Sequence, residues 1–263
     1  MKNVALLLPL LALVAWTTQD PAKDLKSKDF AIRKAAVEAI VASPDDDIEK
    51  LLVGALKDDD WEIVELAARG LGTLGAEAGA NATKALQKLA IEAPVRRLRR
   101  AAAEALAKID PVETSEELVR KLGGKTSLAA SEALTALHDA SPAGTFADRN
   151  APKALVKTAG RGKEYAERVA AARALLLVGA KDRKSNLEEL LASEAIGVQA
   201  AALDVVVEGA QASDLAVVEE VLQRTALSDV IERRALSAAH AALWTVDSPQ
   251  RATTAKEVLD ALL

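Results

Sequence analysis

The chain has no cysteine, one methionine, two histidines and six aromatic residues in 263 positions. Without cysteine there is no disulfide, no thiolate metal site, no thiol nucleophile and no lipid-bearing cysteine. The two histidines, His138 and His240, are followed by Asp139 and Ala241, and Leu134 and Leu236 stand four residues before them. Neither is offered a second imidazole or carboxylate ligand one turn earlier, so both are expected to be ordinary imidazoles rather than metal ligands. A chain with only three Trp, two Phe and one Tyr lacks the large side chains that usually fill a compact core. There is no Gly-x-Gly-x-x-Gly, no phosphate-binding loop and no nucleophile elbow. Gly70, Gly72 and Gly75 read as packing and termination sites of one helix. No catalytic set and no cofactor site is expected.

Half of the residues are nonetheless hydrophobic, and Ala and Leu supply most of them. Both lead the helix propensity scale, and small Ala faces let helices approach closely. The net charge is −5, with both signs well mixed. That balance argues against nucleic acid as a general partner, since nucleic-acid binding needs a basic face.

What recurs is Ala-Ala-x-x-Ala-Leu, clearest at Ala101–Leu106. Anchored on its last residue, the motif ends at Ile40, Leu71, Leu106, Leu134, Leu175, Val205 and Leu243. The residue four before the anchor is always Ala: 36, 67, 102, 130, 171, 201 and 239. Anchors lie 31, 35, 28, 41, 30 and 38 residues apart, a mean of about 34, which is the period of stacked helical pairs. Each invariant Ala is expected to face the neighbouring layer at close range, and Ala103, one position on from Ala102, to face away.

Residues 1–18 read as a signal peptide. Lys2 precedes a 13-residue apolar run, Val4–Trp16, interrupted by Pro9, and Ala15-Trp16-Thr17 approximates an A-x-A cleavage site. The run falls short of the roughly 20 residues of a membrane span, so no stable membrane insertion is expected after its removal. Residues 19–28 form a polar linker with at most a short helix, and 29–263 the repeat array. The first motif helix is expected over Asp29–Ala42 and the second from Trp61 to Leu74. Partner helices are expected near Asp46–Lys57, Ala82–Ile91, Ser115–Leu122, Pro152–Thr158, Asn186–Ala192, Asp214–Gln223 and Thr253–Leu262. Ala93-Pro94 and Asp110-Pro111 punctuate the joins. Asp139–Asn150 is an insertion into the longest interval.

One stretch carries a family likeness. Leu51-Leu52 and Leu56 lead through Lys57-Asp58-Asp59-Asp60 into a helix bearing Ile63, Ala67 and Leu71, which resembles a HEAT repeat. The Arg that often precedes the Ala in that family stands at Arg33, Arg99 and Arg168 and is replaced by Val64, Ser127, Val198 and Leu236 elsewhere. The resemblance implies an all-α fold, a right-handed α-solenoid of about seven HEAT-like helical pairs, with motif helices on the concave side. It also implies a scaffold for protein or peptide partners more than an enzyme. HEAT-like deoxyhypusine hydroxylase uses His-Glu pairs, and this chain has none. A HEAT-like bilin lyase or enzyme-accessory subunit is one alternative, and a structural spacer in an envelope assembly is another. HEAT-like DNA glycosylases need a basic face over several repeats, whereas only one repeat here is strongly basic.

That repeat carries Arg96, Arg97, Arg99 and Arg100. Arg96, Arg97 and Arg100 group on one side of a helix. They read either as a rim balanced by acids such as Glu62 and Glu65, or as a docking patch for an acidic partner. Trp61, beside a helix start, and Phe146, in the insertion, complete the candidate partner-binding residues. Trp244 is expected to seal the last layer. The reading is a monomeric, exported, periplasmic or extracellular scaffold that binds a protein or peptide on its concave face.

Overall fold

The computed structural model describes residues 20–42, 47–141, 151–178, 182–224, 227–246, 250–251 and 253–256. Residues 1–18, Phe146 with the rest of 142–150, and most of the last expected partner helix lie outside the described residues. Among the described residues there is no strand. The motif helices are α2 (Phe30–Ala42), α4 (Trp61–Thr73), α6 (Arg96–Ile109), α8 (Ser127–Ala140), α10 (Tyr165–Val178), α12 (Ile196–Glu208) and α14 (Asp229–Thr245). α1 (Pro21–Asp24) precedes them, and between them run α3 (Ile48–Ala55), α5 (Ala80–Glu92), α7 (Pro111–Lys121), α9 (Ala151–Arg161), α11 (Arg183–Leu191) and α13 (Asp214–Leu222). Helix starts follow capping chemistry. The Asp20, Asp110 and Ser228 side chains accept backbone N–H bonds ahead of α1, α7 and α14, and Pro21 and Pro111 occupy first-turn positions that lose no hydrogen bond.

Successive motif helices pack directly on one another, α2 on α4 and so on to α12 on α14. The partner helices form a second layer, α3 on α5, α7 on α9, α9 on α11 and α11 on α13, while α5 also reaches α8. The result is an α-solenoid of HEAT-like pairs. With about 8–10 Å between helix axes, six steps between seven motif helices make a stack of roughly 50–60 Å.

The core is a continuous seam along this stack. All seven invariant Ala residues are buried, and so are the anchors from Ile40 to Val205. Small residues set the spacing. A Cβ added to Gly72 of α4 would lie 2.9 Å from the Ala105 Cα of α6, so the two backbones meet at a distance that only Gly permits.

Two sequence expectations need correction. Ala103 does not face away. It is fully buried, as are Ala101, Ala105 and Ala107 within a few per cent. A motif helix in mid-stack has a neighbour on either side and its partner behind it: α6 meets α4, α8, α5 and α7. Its buried surface therefore wraps most of its circumference, leaving Arg96, Arg97, Arg100, Glu104 and Lys108 outside. Trp244 does not seal the last layer either, being 59% exposed. The buried stripe of α14 is Ile231, Ala235, Ala238, Ala239 and Ala242, and Trp244 stands about 200° round the helix from Ala242. Its indole Nε1 donates to His240 Nε2 at 2.9 Å, and the Arg251 guanidinium lies 4.5 Å from the ring centre.

Candidate partner-binding surface

Consecutive motif helices run parallel, and side chains across the seam show it. Lys34 pairs with Glu62 at 2.5 Å, Arg97 with Glu65 at 2.6 Å, Arg99 with Glu132 at 2.6 Å and Arg234 with Asp204 at 2.9 Å. Arg173 also pairs with Glu208. Each pair joins similar heights on adjacent helices. The N-termini of the motif helices therefore share one edge of the solenoid.

The Arg of the HEAT-like motif works at this edge. Arg33 donates to the carbonyls of Ser27 and Lys28 before its own helix, and reaches Asp58 at 2.8 Å and Asp60 in the acidic turn of the next pair. Arg99 does the same with Ala93 O and Glu132. Each thus ties its own turn to the following layer, Arg33 through the acidic turn before α4 and Arg99 through Glu132 within α8.

The arginine cluster is brought together with Trp61, and each of its arginines meets a carboxylate. Arg97 lies 4.7 Å from the centre of the Trp61 ring, within cation–π range, while its Nε meets Glu65. Glu65 is buried between Arg97 and Arg69, the latter at 2.8 Å. Arg96 reaches Glu132 at 3.3 Å, sharing it with Arg99. Arg100 bonds Glu104 at 2.7 Å, which raises the guanidinium pKa, with the charges of Glu104 and Asp139 adding to the effect and partial burial opposing it. Glu65 is indeed one of the balancing acids, whereas Glu62 pairs with Lys34. Among the described residues no group of three or more His, Asp or Glu side chains is placed to hold a metal, and no helix is long and apolar enough to cross a membrane.

Sequence reasoning missed a more regular feature. Phe30, Trp61, Val95, Leu128, Tyr165, Ile196 and Val230 each stand at the first or second position of a motif helix, or just before it, and each is 36–58% exposed. They make a row of large apolar side chains along the N-terminal edge, one per layer. Gly197 makes room for one of them, since a Cβ there would overlap the Tyr165 ring. The ring therefore lies across the start of α12, the next layer in the row. The signal was present in the sequence as large apolar residues recurring ahead of the motif Ala. Anchoring the repeat on its buried end drew attention away from its exposed start.

A family model of HEAT repeats matches residues 21–107. No curated protein matches the chain. Among solved structures, Kap121p bound to Pho4p is similar at 17% identity and a TM-score of 0.53, over 92% of this chain and 31% of that one. The complex of CpcE and CpcF of phycocyanin lyase from Nostoc sp. PCC7120 is similar at 19% identity and a TM-score of 0.39, over 92% and 93% of the two chains. The designed armadillo repeat protein YIII(Dq)4CqI is similar at 18% identity and a TM-score of 0.33, over 84% and 98%. Residues 21–107 thus match the HEAT-repeat model, and the described residues share the α-solenoid fold.

Proposed function

We propose that this protein is an exported, monomeric, non-enzymatic scaffold that binds a protein or peptide segment on its motif-helix layer. The observation that carries the reading is the row from Phe30 to Val230 along the N-terminal edge. Layers about 8–10 Å apart match about three residues of extended chain at roughly 3.3 Å each. A partner segment laid along the edge meets one apolar side chain per layer in register. Trp and Tyr are the residue types that most often anchor such contacts, and Trp61 and Tyr165 are both half-exposed. Arg97 braces Trp61 from the side, which makes it a positioning residue for that anchor. Kap121p, which shares the solenoid fold, is seen bound to Pho4p.

The test is partner retention. With the protein immobilised and its native extract passed over it, Trp61→Ala with Tyr165→Ala is expected to weaken the retained partner about tenfold or more. Both residues are surface-exposed, so thermal melting of the variant should stay close to wild type. Undiminished retention by a folded double variant would contradict the reading.

Export rests on Lys2, the apolar run Val4–Trp16 and the small residues after it. N-terminal sequencing of protein from its native cells is expected to begin after residue 16. A soluble cytoplasmic protein that retains Met1 would contradict export without touching the partner surface.

A further inference from the structure

The α7–α8 turn, residues 122–126, and the α9–α10 turn, residues 162–164, stand side by side on the same N-terminal edge. Between them and the C-terminal half of α9 is an open cleft of about 760 Å³. Its walls carry Lys125 from the first turn, Lys157 and Arg161 one helical turn apart on α9, and Lys163 from the second turn. All four are exposed, and none forms an ion pair among the described residues. Two carboxylates also line the cleft, Glu164 and Glu167. Glu167 is buried, and its Oε2 accepts the backbone N–H of Lys163 at 3.1 Å and of Glu164 at 3.5 Å. It holds the turn, and with Glu164 it leaves the lining at four cations to two carboxylates.

This concentration runs against the sign of the whole chain, which is −5. It also runs against the habit of the molecule elsewhere. Each arginine of the sequence-evident cluster meets a carboxylate, Glu65, Glu104 or Glu132. These unpaired cations therefore sit one to two layers away from where the sequence concentrates positive charge. Leu128 and Tyr165, both members of the exposed apolar row, flank the cleft at the starts of α8 and α10.

We propose that this cleft takes up the Asp or Glu side chains of an acidic peptide segment. The apolar residues beside those acids meet Leu128 and Tyr165. The proposal rests on the scaffold reading above and names the chemistry of its partner. A small inorganic anion would use the cations but leave the flanking apolar pair without a role. A nucleic acid would need the basic surface to continue into neighbouring layers, where the arginines are already paired.

The test is fluorescence anisotropy on the full chain with labelled fifteen-residue peptides of repeating Glu-Glu-Leu, Gln-Gln-Leu and Lys-Lys-Leu. The acidic peptide is expected to bind about tenfold or more tightly than the other two, and to weaken as salt is raised. Lys157→Glu with Arg161→Glu should cut that affinity about tenfold or more while leaving the melting profile in place, because both side chains are exposed. Lys84→Glu, an exposed cation on α5, should leave it unchanged. Equal binding of the Glu and Gln peptides, or no effect of the double reversal, would overturn the proposal. So would tighter binding of a fifteen-nucleotide oligothymidylate, or displacement of the peptide by inorganic phosphate at constant ionic strength. If the acidic peptide fails here while the retained partner still depends on Trp61 and Tyr165, the cleft assignment falls and the scaffold reading stands.

Discussion

Asp214→Ala is expected to destabilise the protein by about 3–5 kcal/mol. Asp214 opens α13 and is fully buried, and Arg183, which opens α11 one layer earlier, is nearly so. The pair is bidentate: Arg183 Nε donates to Oδ1 at 2.9 Å and a terminal nitrogen donates to Oδ2 at 2.8 Å. The guanidinium also donates to the carbonyls of Leu176 at 3.3 Å and Gly209 at 3.1 Å, and Gln211 N–H donates to Oδ2 at 3.0 Å. One ion pair thus ties α11 to α13, to the last turn of α10 and to the end of α12. Removing the carboxylate leaves a buried guanidinium with carbonyl partners only, an uncompensated charge in a low-dielectric seam. Replacing both partners, as Arg183→Met with Asp214→Leu, should recover much of the loss, because no charge is then stranded. Urea melts of the single and double variants measure this. A loss under about 1 kcal/mol for Asp214→Ala would mean that the pair is not buried as described.

Ala102→Leu and Ala103→Leu are both expected to cost about 1–3 kcal/mol or more. Ala102 faces the seam predicted by the repeat, and Ala103 is just as inaccessible because α6 is enclosed on several sides. Extra methylenes at either site force off-rotamer side chains or a shift of the helix. The seam has little room to yield, as the backbone approach at Gly72 and Ala105 shows. Solenoid layers touch only near neighbours, so hydrogen exchange should rise first in α4, α6 and α8 and later at the ends. A harmless Ala103→Leu beside a costly Ala102→Leu would restore the one-faced helix that the sequence suggests.

These two experiments mark where sequence reasoning holds and where it stops. The invariant Ala and its anchor report a local property, a helix face repeated about every 34 residues, whose Ala is buried in all seven motif helices and whose anchor is buried in six. Helix ends are likewise local, so Asp110-Pro111 and the acidic turn before Trp61 mark α7 and α4 within a few residues. How many faces a helix buries depends on what stacks around it, and periodicity within one helix does not carry that. Ala103 is misplaced for this reason, and Trp244 as well. Arg183 and Asp214 stand 31 residues apart and carry no shared motif. Their pairing appears only once successive layers are superposed. Charge follows the same rule. The run Arg96–Arg100 is conspicuous in the sequence because four of its five residues are positive, yet two of its three acids come from α4 and α8. Of the cleft's cations, Lys157, Arg161 and Lys163 share one seven-residue window, and only the fold brings Lys125 beside them.

The measurement that tests the central claim most directly is site-specific photo-crosslinking to the native partner. A benzophenone side chain would be placed at Trp61 and at Tyr165 on the N-terminal edge, and at Lys88 and Glu116, exposed positions of α5 and α7 in the partner-helix layer. If the motif-helix edge is the binding surface, the same partner should be captured from Trp61 and Tyr165 and not from Lys88 or Glu116. Capture from the partner-helix layer alone, or equally from all four positions, would contradict it.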